Sequence, residues 1–160
     1  MAVDHFLKLD GIKGESADAK HKDEIDILSF SFGVTQTGTH GTGGGGGAGK
    51  ADVQDIHITK AVDKSSPELL LACCNGKHIK EALFTVRKAS ETALEYLKFK
   101  LTDILISGVH ATGTGDEILT EEVSLNFSKI QYQYQQQGPD GKAVGGPVIM
   151  GWDVKANQKI

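Results

Sequence analysis

The stretch of sequence that decides the fold runs from residue 25 to residue 34 and reads Ile25-Asp26-Ile27-Leu28-Ser29-Phe30-Ser31-Phe32-Gly33-Val34. Apolar and polar residues alternate with a period of two, which is typical of a β-strand with one buried face. The apolar positions change from odd to even numbers after Ile27, so that Leu28, Phe30, Phe32 and Val34 are expected to face the core. Such a change of phase predicts a β-bulge or a sharp bend.

Two further stretches change phase in the same way. Odd-numbered Leu97 to Leu101 give way to Ile104 and Ile106, and Val123 to Phe127 give way to Ile130, Tyr132 and Tyr134. Long strands that bend in mid-course are typical of a closed or nearly closed barrel. We therefore predict a mainly β chain, a bent-strand β-barrel of two sheets. The alternative is that each stretch forms two short strands separated by a turn. Bent strands are favoured over this alternative because no Gly-Pro or Asn-Gly pair lies where the phase changes.

One segment has the signals of a helix. Ser66 is the expected N-cap, Pro67 the first helical position and Gly76 the C-cap, around the sequence Glu68-Leu69-Leu70-Leu71-Ala72-Cys73-Cys74-Asn75. We predict one short α-helix of about two turns on the side of the barrel.

Length and charge exclude several classes of protein. A chain of 160 residues predicts a single domain, residues 1–160, and the net charge of -4 has no basic block of the kind that binds nucleic acid. The first eight residues include Asp4 and Lys8, and no apolar run is long enough for a membrane span. We expect synthesis in the cytoplasm without a signal peptide and no membrane insertion. Cys73 and Cys74 are adjacent and cannot join distant segments.

A glycine-rich segment at about residues 38–51 is expected to form one extended loop. Its end, Gly44-Gly45-Gly46-Gly47-Ala48-Gly49-Lys50-Ala51, matches the phosphate-binding G-x-x-x-x-G-K pattern except at Ala51, where a Ser or Thr would hold magnesium. Val53, Ile56 and Ile58 after it read as a strand, whereas a phosphate loop opens a helix. Nucleotide binding is therefore not favoured.

No pattern of catalytic or metal-ligating residues is present. The histidines are His5, His21, His40, His57, His78 and His110. They show no i, i+4 pair on a helix and no C-x-x-C companion, and the sequence has no G-x-S-x-G elbow. Acidic pairs precede strands, where they are typical of solvated edges. We predict a protein that is not an enzyme and needs no cofactor and no metal.

The polar face of the first strand is the remaining candidate site. If Phe30 and Phe32 face the core, Ser29, Ser31, Gly33 and Thr35 form a small and mildly polar wall on the other side. Such a wall is either ordinary solvent-exposed surface or the lining of a channel, and composition does not choose between them.

Several motifs in order resemble a known family, the haemolysin-coregulated proteins (Hcp), which form the inner tube of the bacterial type VI secretion system. The residues that resemble this family span nearly the whole chain: Gly11-Ile12-Lys13-Gly14-Glu15-Ser16, Glu24 to Gly33, Gly43 to Lys50, Val53-Gln54-Asp55, Thr59-Lys60, Asp63-Lys64-Ser65-Ser66-Pro67, Gly76-Lys77-His78-Ile79, Arg87-Lys88-Ala89, Leu94-Glu95-Tyr96-Leu97, Leu125-Asn126-Phe127 and Gly151-Trp152-Asp153.

The resemblance implies an assembly and its partners. Members have a β-barrel with one helix on its side, form hexameric rings head to tail, and stack the rings into a tube. The tube is capped by a spike, lies inside a contractile sheath, holds effector proteins in its lumen and is secreted. Ser29, Ser31 and Gly33 are then expected to face the lumen. The inter-ring contact is expected at Thr39, His40, Gly43, Gly44, Gly45, Gly46, Gly47, Ala48, Gly49 and Lys50.

Three other readings stay open at this stage. A tail-tube protein of a phage-like contractile device would share the fold and the assembly principle. A ligand-binding barrel would be monomeric, and a nucleotide-hydrolysing enzyme would depend on Lys50. About six copies per particle in light scattering would favour the tube reading.

Overall fold

The computed structural model describes residues 2–38, 48–89 and 93–160. Within these ranges it has one α-helix, α1 (Ser66–Asn75), and a larger set of β-strands. In chain order the strands are β1 (Val3–Leu9), β2 (Ile25–Ile27), β3 (Ser29–Ser31), β4 (Val34–Gly38), β5 (Ala48–Val53), β6 (Ile56–Ala61), β7 (His78–Lys88), β8 (Glu95–Thr112), β9 (Thr120–Tyr134), β10 (Val148–Asp153) and β11 (Gln158–Lys159). The prediction of a mainly β chain with one short helix is confirmed.

Most of the strands belong to one antiparallel sheet. Its order is β11-β10-β9-β8-β7-β1-β2, with β6 paired to the first half of β9 and β3 paired to β6. Strands β4 and β5 form a separate two-stranded sheet, which we call the arm ribbon. The long strands β8 and β9 form a hairpin that contributes to both halves of the large sheet.

The sheet bends where β8 and β9 change phase. Leu101 and Ile104 are both fully buried although an even number of residues, Thr102 and Asp103, lies between them, and Asp103 has a φ of 55°. On β9, opposite this point, Phe127 and Ile130 are buried in the same way. The register of the two strands continues unchanged across the bend. The predicted change of phase in these two stretches is therefore a bend that both strands share.

The side chain of Asp103 joins three strands at the bend. Its carboxylate lies 2.7 Å from Nδ1 of His78 on β7 and accepts a hydrogen bond of 2.8 Å from the hydroxyl of Ser128 on β9. These bonds, the one with His78 foremost, lower the pKa of the Asp103 carboxyl from its usual value. A short acidic residue suits this position because Asp tolerates the left-handed backbone region better than larger side chains do.

The core lies between the two halves of the bent sheet. The ring of Phe30 on β3 is 4.8 Å from that of Phe84 on β7 and 5.8 Å from that of Phe99 on β8, measured between centroids. Such spacings are typical of packed aromatic pairs. The buried aliphatic residues around this cluster include Leu7, Ile25, Ile56, Ile58, Leu69, Leu101, Ile104, Ile106 and Leu125.

The segment between β1 and β2 covers the outer face of the sheet. Phe6 points to that face and stacks on His21, with ring centroids 4.3 Å apart and planes 7° apart. The guanidinium of Arg87 lies 5.0 Å from the centroid of the same ring and donates a hydrogen bond of 2.5 Å to Asp18. His21 also lies 2.6 Å from the carboxylate of Glu95. This segment is thus held by an aromatic stack and by charged contacts.

The predicted bent-strand β-barrel, closed or nearly closed, is confirmed only in part, because the sheets are not closed into a barrel. Strands β2 and β3 follow each other in the chain, but among the described strands no ladder joins them or closes the sheet. The first stretch is two short strands, as the alternative reading had it. The break is at Leu28, whose N–H donates to the carbonyl oxygen of Thr59 and whose side chain is 59% exposed. Leu28 was expected in the core and lies in the bend instead.

Val34 was also expected in the core, and that prediction is wrong. It begins the arm ribbon and is 51% exposed, because the ribbon leaves the large sheet at this point. Phe30 and Phe32 are half-buried and pack against the core, as their alternation predicts.

The start of the helix differs from the prediction by one residue. Ser65, not Ser66, is the N-cap residue, and Ser66 is the first residue of α1. The hydroxyl of Ser66 donates to Glu121 at 2.6 Å and accepts from Nζ of Lys60 at 3.2 Å, so it is used in a tertiary contact. Pro67 lies in the first turn, and Gly76 ends the helix with a φ of 65°. Glycine is the usual residue for that left-handed conformation.

Candidate functional site: a polar face and an apolar groove

The polar face is built from four neighbouring strands. Ser29 and Ser31 of β3 pair with Thr59 and His57 of β6. The register continues onto β9 and β8 and places further polar residues in the same two rows. The complete rows are Ser29, Thr59, Glu122 and His110, and Ser31, His57, Ser124 and Gly108.

This face points away from the core. The row between the two polar rows consists of Phe30, Ile58, Val123 and Val109, which are buried or pack against the core. Because successive side chains of a strand point to opposite faces, the two polar rows lie on the outside of the sheet. Ser29, Ser31, His57 and Glu122 are exposed. The structure thus brings Ser29 and Ser31 together on one continuous surface.

On β8 the polar face includes Gly108, which has no side chain. A Cβ atom on Gly108 would lie 2.7 Å from the hydroxyl oxygen of Ser124, which is too close without a shift of that side chain. The register of β8 against β9 shifts between Ile106 and Gly108. Small residues and this bulge leave a surface with hydroxyl groups, two imidazoles and one carboxylate, and without large apolar side chains.

Asp55 fixes one corner of the face. Its carboxylate accepts hydrogen bonds from the hydroxyl of Ser107 at 2.5 Å and from Nδ2 of Asn126 at 2.8 Å. These bonds tie the residue before β6 to the bulge of β8 and to β9, so three of the four strands are held together at this corner.

Gly33 is placed differently from the two serines. It lies between β3 and the arm ribbon, is half-buried, and its carbonyl oxygen accepts a hydrogen bond of 3.0 Å from the N–H of Gln54. A Cβ atom there would lie 3.3 Å from Oε1 of Gln54. Gly33 is therefore a link to the ribbon and not a member of the two polar rows.

The glycine-rich segment is only partly described. Ala48, Gly49 and Lys50 belong to strand β5 of the arm ribbon and not to a loop, because β5 pairs with β4 up to Ala48 and Gly38. Thr39, His40, Gly43, Gly44, Gly45, Gly46 and Gly47 lie outside the described residues. Lys50 in a strand does not have the loop-to-helix geometry that binds a nucleotide phosphate.

An apolar groove of about 290 Å³ lies between the arm ribbon and the β9–β10 edge. It is lined by Phe32, Val34, Ala51, Val53, Ile130, Tyr132, Met150 and Trp152. These residues continue the inner face of the sheets past the end of the core, because Met150 pairs with Tyr132 and Val34 pairs with Val53. The groove is thus an open end of the space between the arm ribbon and the large sheet.

Sequence reasoning missed most of the polar face. His57, Thr59, Glu122 and Ser124 alternate with buried Ile56, Ile58, Val123 and Leu125, so the same period-two rule shows that they face outward. Alternation along one strand does not show which strands lie side by side. The pairing of β6 with β3 and β9 in the structure is what brings these residues next to Ser29 and Ser31.

Two negative observations apply to the described ranges. No group of three or more His, Cys, Asp or Glu side chains in residues 2–38, 48–89 and 93–160 is arranged to hold a metal ion. In the same ranges no helix has the length and apolar character needed to span a membrane.

Comparison with known proteins gives one consistent result. The model of the family described as "Type VI secretion system effector, Hcp" matches residues 6–134. The chain is 50% identical to Protein hcp1 of Pseudomonas aeruginosa over 159 residues, which is 98% of each chain. It is similar in structure to Hcp1 from Salmonella typhimurium, with a TM-score of 0.82, 37% identity and 100% of both chains covered.

A second solved structure, described as that of a type six secretion system protein, has a TM-score of 0.93 at 29% identity and covers 99% of this chain and 100% of its own. The family is one of structural tube proteins and not a family of enzymes. The family match, the 50% identity and the similar solved structures agree, and the chain belongs to the Hcp family of type VI secretion system tube proteins.

Proposed function

We propose that six copies of this chain close into a ring, that the rings stack into a tube, and that the polar face containing Ser29 and Ser31 lines the lumen. The observation that supports the lumen assignment is the composition of that face, with small hydroxyl residues in two adjoining rows across β3, β6, β9 and β8. A cargo protein has few apolar anchors on such a surface. It can therefore be held through hydrogen bonds and still be released.

The arm ribbon supports a role in stacking. It leaves the large sheet as a separate two-stranded element and leads into the glycine-rich segment at 39–47. Residues without Cβ atoms permit the close approach of another backbone. We propose that this segment, together with Ala48, Gly49 and Lys50, contacts the neighbouring ring. We also propose that a spike protein caps the tube and that a contractile sheath surrounds it. In this proposal the protein leaves the cell through this apparatus and has no catalytic activity of its own.

The lumen assignment is tested by adding bulk at Ser31. Ser31→Gln and Ser31→Arg should leave the mass of the ring unchanged in light scattering. They should lower the recovery of effector proteins that are co-expressed from the same secretion gene cluster. Ser31→Ala is the matched control, because it removes the hydroxyl without adding bulk. Cargo recovery that is the same for Ser31→Arg and the unchanged protein would contradict the lumen assignment.

The stacking assignment is tested by a deletion. Removal of residues 39–47, with a two-residue turn between β4 and β5, should spare the ring and abolish tubes in electron micrographs. Tubes of normal length from this variant would contradict the assignment, and a monomeric unchanged protein would contradict the proposal of rings.

A further inference from the structure

The polar face carries charge of one sign. It includes Asp55 at its corner, and together with the two rows it contains the carboxylates of Asp55 and Glu122 and no lysine or arginine. Neither carboxylate has an ion pair in the part of the chain that the structure describes. The other titratable groups of these rows are the imidazoles of His57 and His110. The face is therefore negative whenever the imidazoles are uncharged.

The β8–β9 hairpin is divided by charge at its bend. Residues 103–128 contain no Lys or Arg, and their acidic residues are Asp103, Asp116, Glu117, Glu121 and Glu122. The lysines of the hairpin are on the other side of the bend: Lys98, Lys100 and Lys129. At the bend itself, the positive charge of Lys155 acts on the Asp103 carboxyl. Because the half without basic residues builds the polar face, the sign of charge there belongs to a long stretch of chain and not to one side chain.

Positive charges next to the face are matched by acidic neighbours. Lys60, on the buried side of β6, is paired with Glu121. Lys50 of the arm ribbon is two positions from Asp52 on β5, so the two side chains lie on the same side of the ribbon. The two carboxylates of the polar face thus remain unpaired in the described ranges.

Hydroxyl groups and carboxylates on one surface suit one class of partner. The side chains of Lys and Arg have hydrogen-bond donors and no acceptors, and the face offers the hydroxyl oxygens of Ser29 and Thr59 in the same row as the carboxylate of Glu122. Hydrogen bonds from a charged donor to a carboxylate are stronger than those between neutral groups. A partner rich in carboxylates or phosphates would meet like charge instead. The chemistry of the face therefore favours a basic protein surface over an acidic one or a nucleic acid.

In the proposed ring, every copy presents the same two carboxylates to one enclosed space. Charges of one sign around a cleft focus the electric field and concentrate partners of the opposite sign. We infer that the polar face selects cargo by charge and holds proteins whose contact surface is rich in Lys and Arg. Glu122 is the main residue in this selection, because it is exposed whereas Asp55 is half-buried. The inference rests on the proposed lumen assignment and names the class of cargo.

The first test compares two peptides of opposite charge. Fluorescent peptides of equal length, one of alternating Lys and Ser and one of alternating Glu and Ser, are titrated into purified rings at low salt and a pH of about 8, where free imidazole is uncharged. The lysine peptide should bind more tightly, and Glu122→Gln should weaken its binding about 3- to 10-fold, because each copy loses a charged contact. Glu68→Gln is the matched control, since Glu68 is exposed on α1 and its replacement removes the same charge.

The second test separates charge from bulk on the same face. Ser31→Glu and Ser31→Gln add side chains of nearly equal size next to His57, but only Ser31→Glu adds a charge. Ser31→Glu should bind the lysine peptide about 3- to 10-fold more tightly than Ser31→Gln. Raising NaCl to about 0.5 M should remove most of this difference, because salt screens exposed charges.

Light scattering of each variant shows whether the ring is intact. Equal binding of the two peptides by intact rings would overturn the inference and leave the ring proposal standing. Equal affinities of Glu122→Gln and Glu68→Gln, or of Ser31→Glu and Ser31→Gln, would also overturn it, since the selection would then lie elsewhere on the surface. An unchanged protein that stays monomeric would overturn the ring proposal and, with it, the premise of the inference.

Discussion

The ammonium group of Lys60 and the carboxylate of Glu121 form an ion pair that is almost completely enclosed. The side chain of Lys60 is 0% exposed and that of Glu121 is 3% exposed. Asp63 accepts a further hydrogen bond of 3.0 Å from Lys60, and Ser66 donates one to Glu121. This cluster joins β6, β9 and the first turn of α1. Every charge in it has a partner, as a buried charge requires.

Removing one member of this pair should destabilise the fold strongly. Glu121→Ala leaves the Lys60 ammonium buried without its main partner, and we expect the free energy of unfolding to fall by about 3–5 kcal/mol. Urea denaturation followed by circular dichroism measures this. Glu122→Ala, one residue away and exposed, should change it by less than about 0.5 kcal/mol. The double variant Lys60→Met/Glu121→Leu should recover most of the lost stability, because neither charge is then left buried without a partner. A loss below about 1 kcal/mol in Glu121→Ala would contradict the role of the buried ion pair.

Replacing Thr85 should have the opposite effect. Thr85 is fully buried on β7, and in the described part of the structure its hydroxyl has no hydrogen-bond partner. Thr85→Val keeps the shape and removes the unsatisfied hydroxyl, so we expect the free energy of unfolding to rise by about 1 kcal/mol. Thermal unfolding provides the measurement, with Thr112→Val at an exposed position of β8 as the control. A lower melting temperature for Thr85→Val would show that the hydroxyl has a partner in solution.

A single methyl group at Gly14 should be poorly tolerated. A Cβ atom there would lie 2.5 Å from the carbonyl oxygen of Glu24 and 2.6 Å from Cα of Ile25, both of which are backbone atoms. We expect Gly14→Ala to lower the free energy of unfolding by about 1–3 kcal/mol, because the segment before β2 must move. Gly115→Ala is the control, since no atom lies within 4 Å of its Cβ position. Equal denaturation midpoints for the two variants would contradict the steric argument.

The contact between Arg87 and Asp18 should make stability depend on pH in the acid range. The hydrogen bond from Arg87, helped by one from the N–H of Lys20, holds the pKa of the Asp18 carboxyl well below its usual value. A carboxyl with a lowered folded pKa stabilises the fold above its unfolded pKa of about 4, and this stability is lost as the pH falls through the folded value. Asp18→Asn should therefore be less stable than the unchanged protein above pH of about 5, and the difference should shrink toward pH of about 2.

Urea denaturation at several values of pH between these limits measures the difference between the two proteins. Arg87→Met should show the same convergence with the unchanged protein at low pH, because it removes the other partner of the same contact. A difference between Asp18→Asn and the unchanged protein that stays constant over the whole range would argue against the ion pair as its source.

The local features of the fold were predictable from the sequence because they depend on alternation and on capping residues. The changes of phase after Leu101 and after Phe127 identified the bend, and Pro67 and Gly76 marked the helix. These signals come from residues a few positions apart. The family resemblance, based on motifs along the whole chain, was confirmed by the family match over residues 6–134.

Features that depend on distant pairing were not predictable in the same way. Barrel closure was expected from the bent strands, but it requires edge strands to meet, and alternation says nothing about that. Leu28 and Val34 fit the pattern of the core yet are exposed, because one lies in a bend and the other begins the arm ribbon. The place of His57 and Glu122 in the polar face could not be predicted, because it depends on β6 lying next to β9 in the sheet. The lumen and stacking assignments remain predictions.

The unbroken register of β8 and β9 through the bend at Asp103 has a mechanical consequence. Both halves of the large sheet are connected by two continuous polypeptide backbones, and β8 cannot slide along β9 without breaking a long row of ladder hydrogen bonds at once. Hydrogen bonds loaded in parallel resist force far better than bonds broken one at a time. We therefore expect the hairpin of β8 and β9 to resist deformation along its own length.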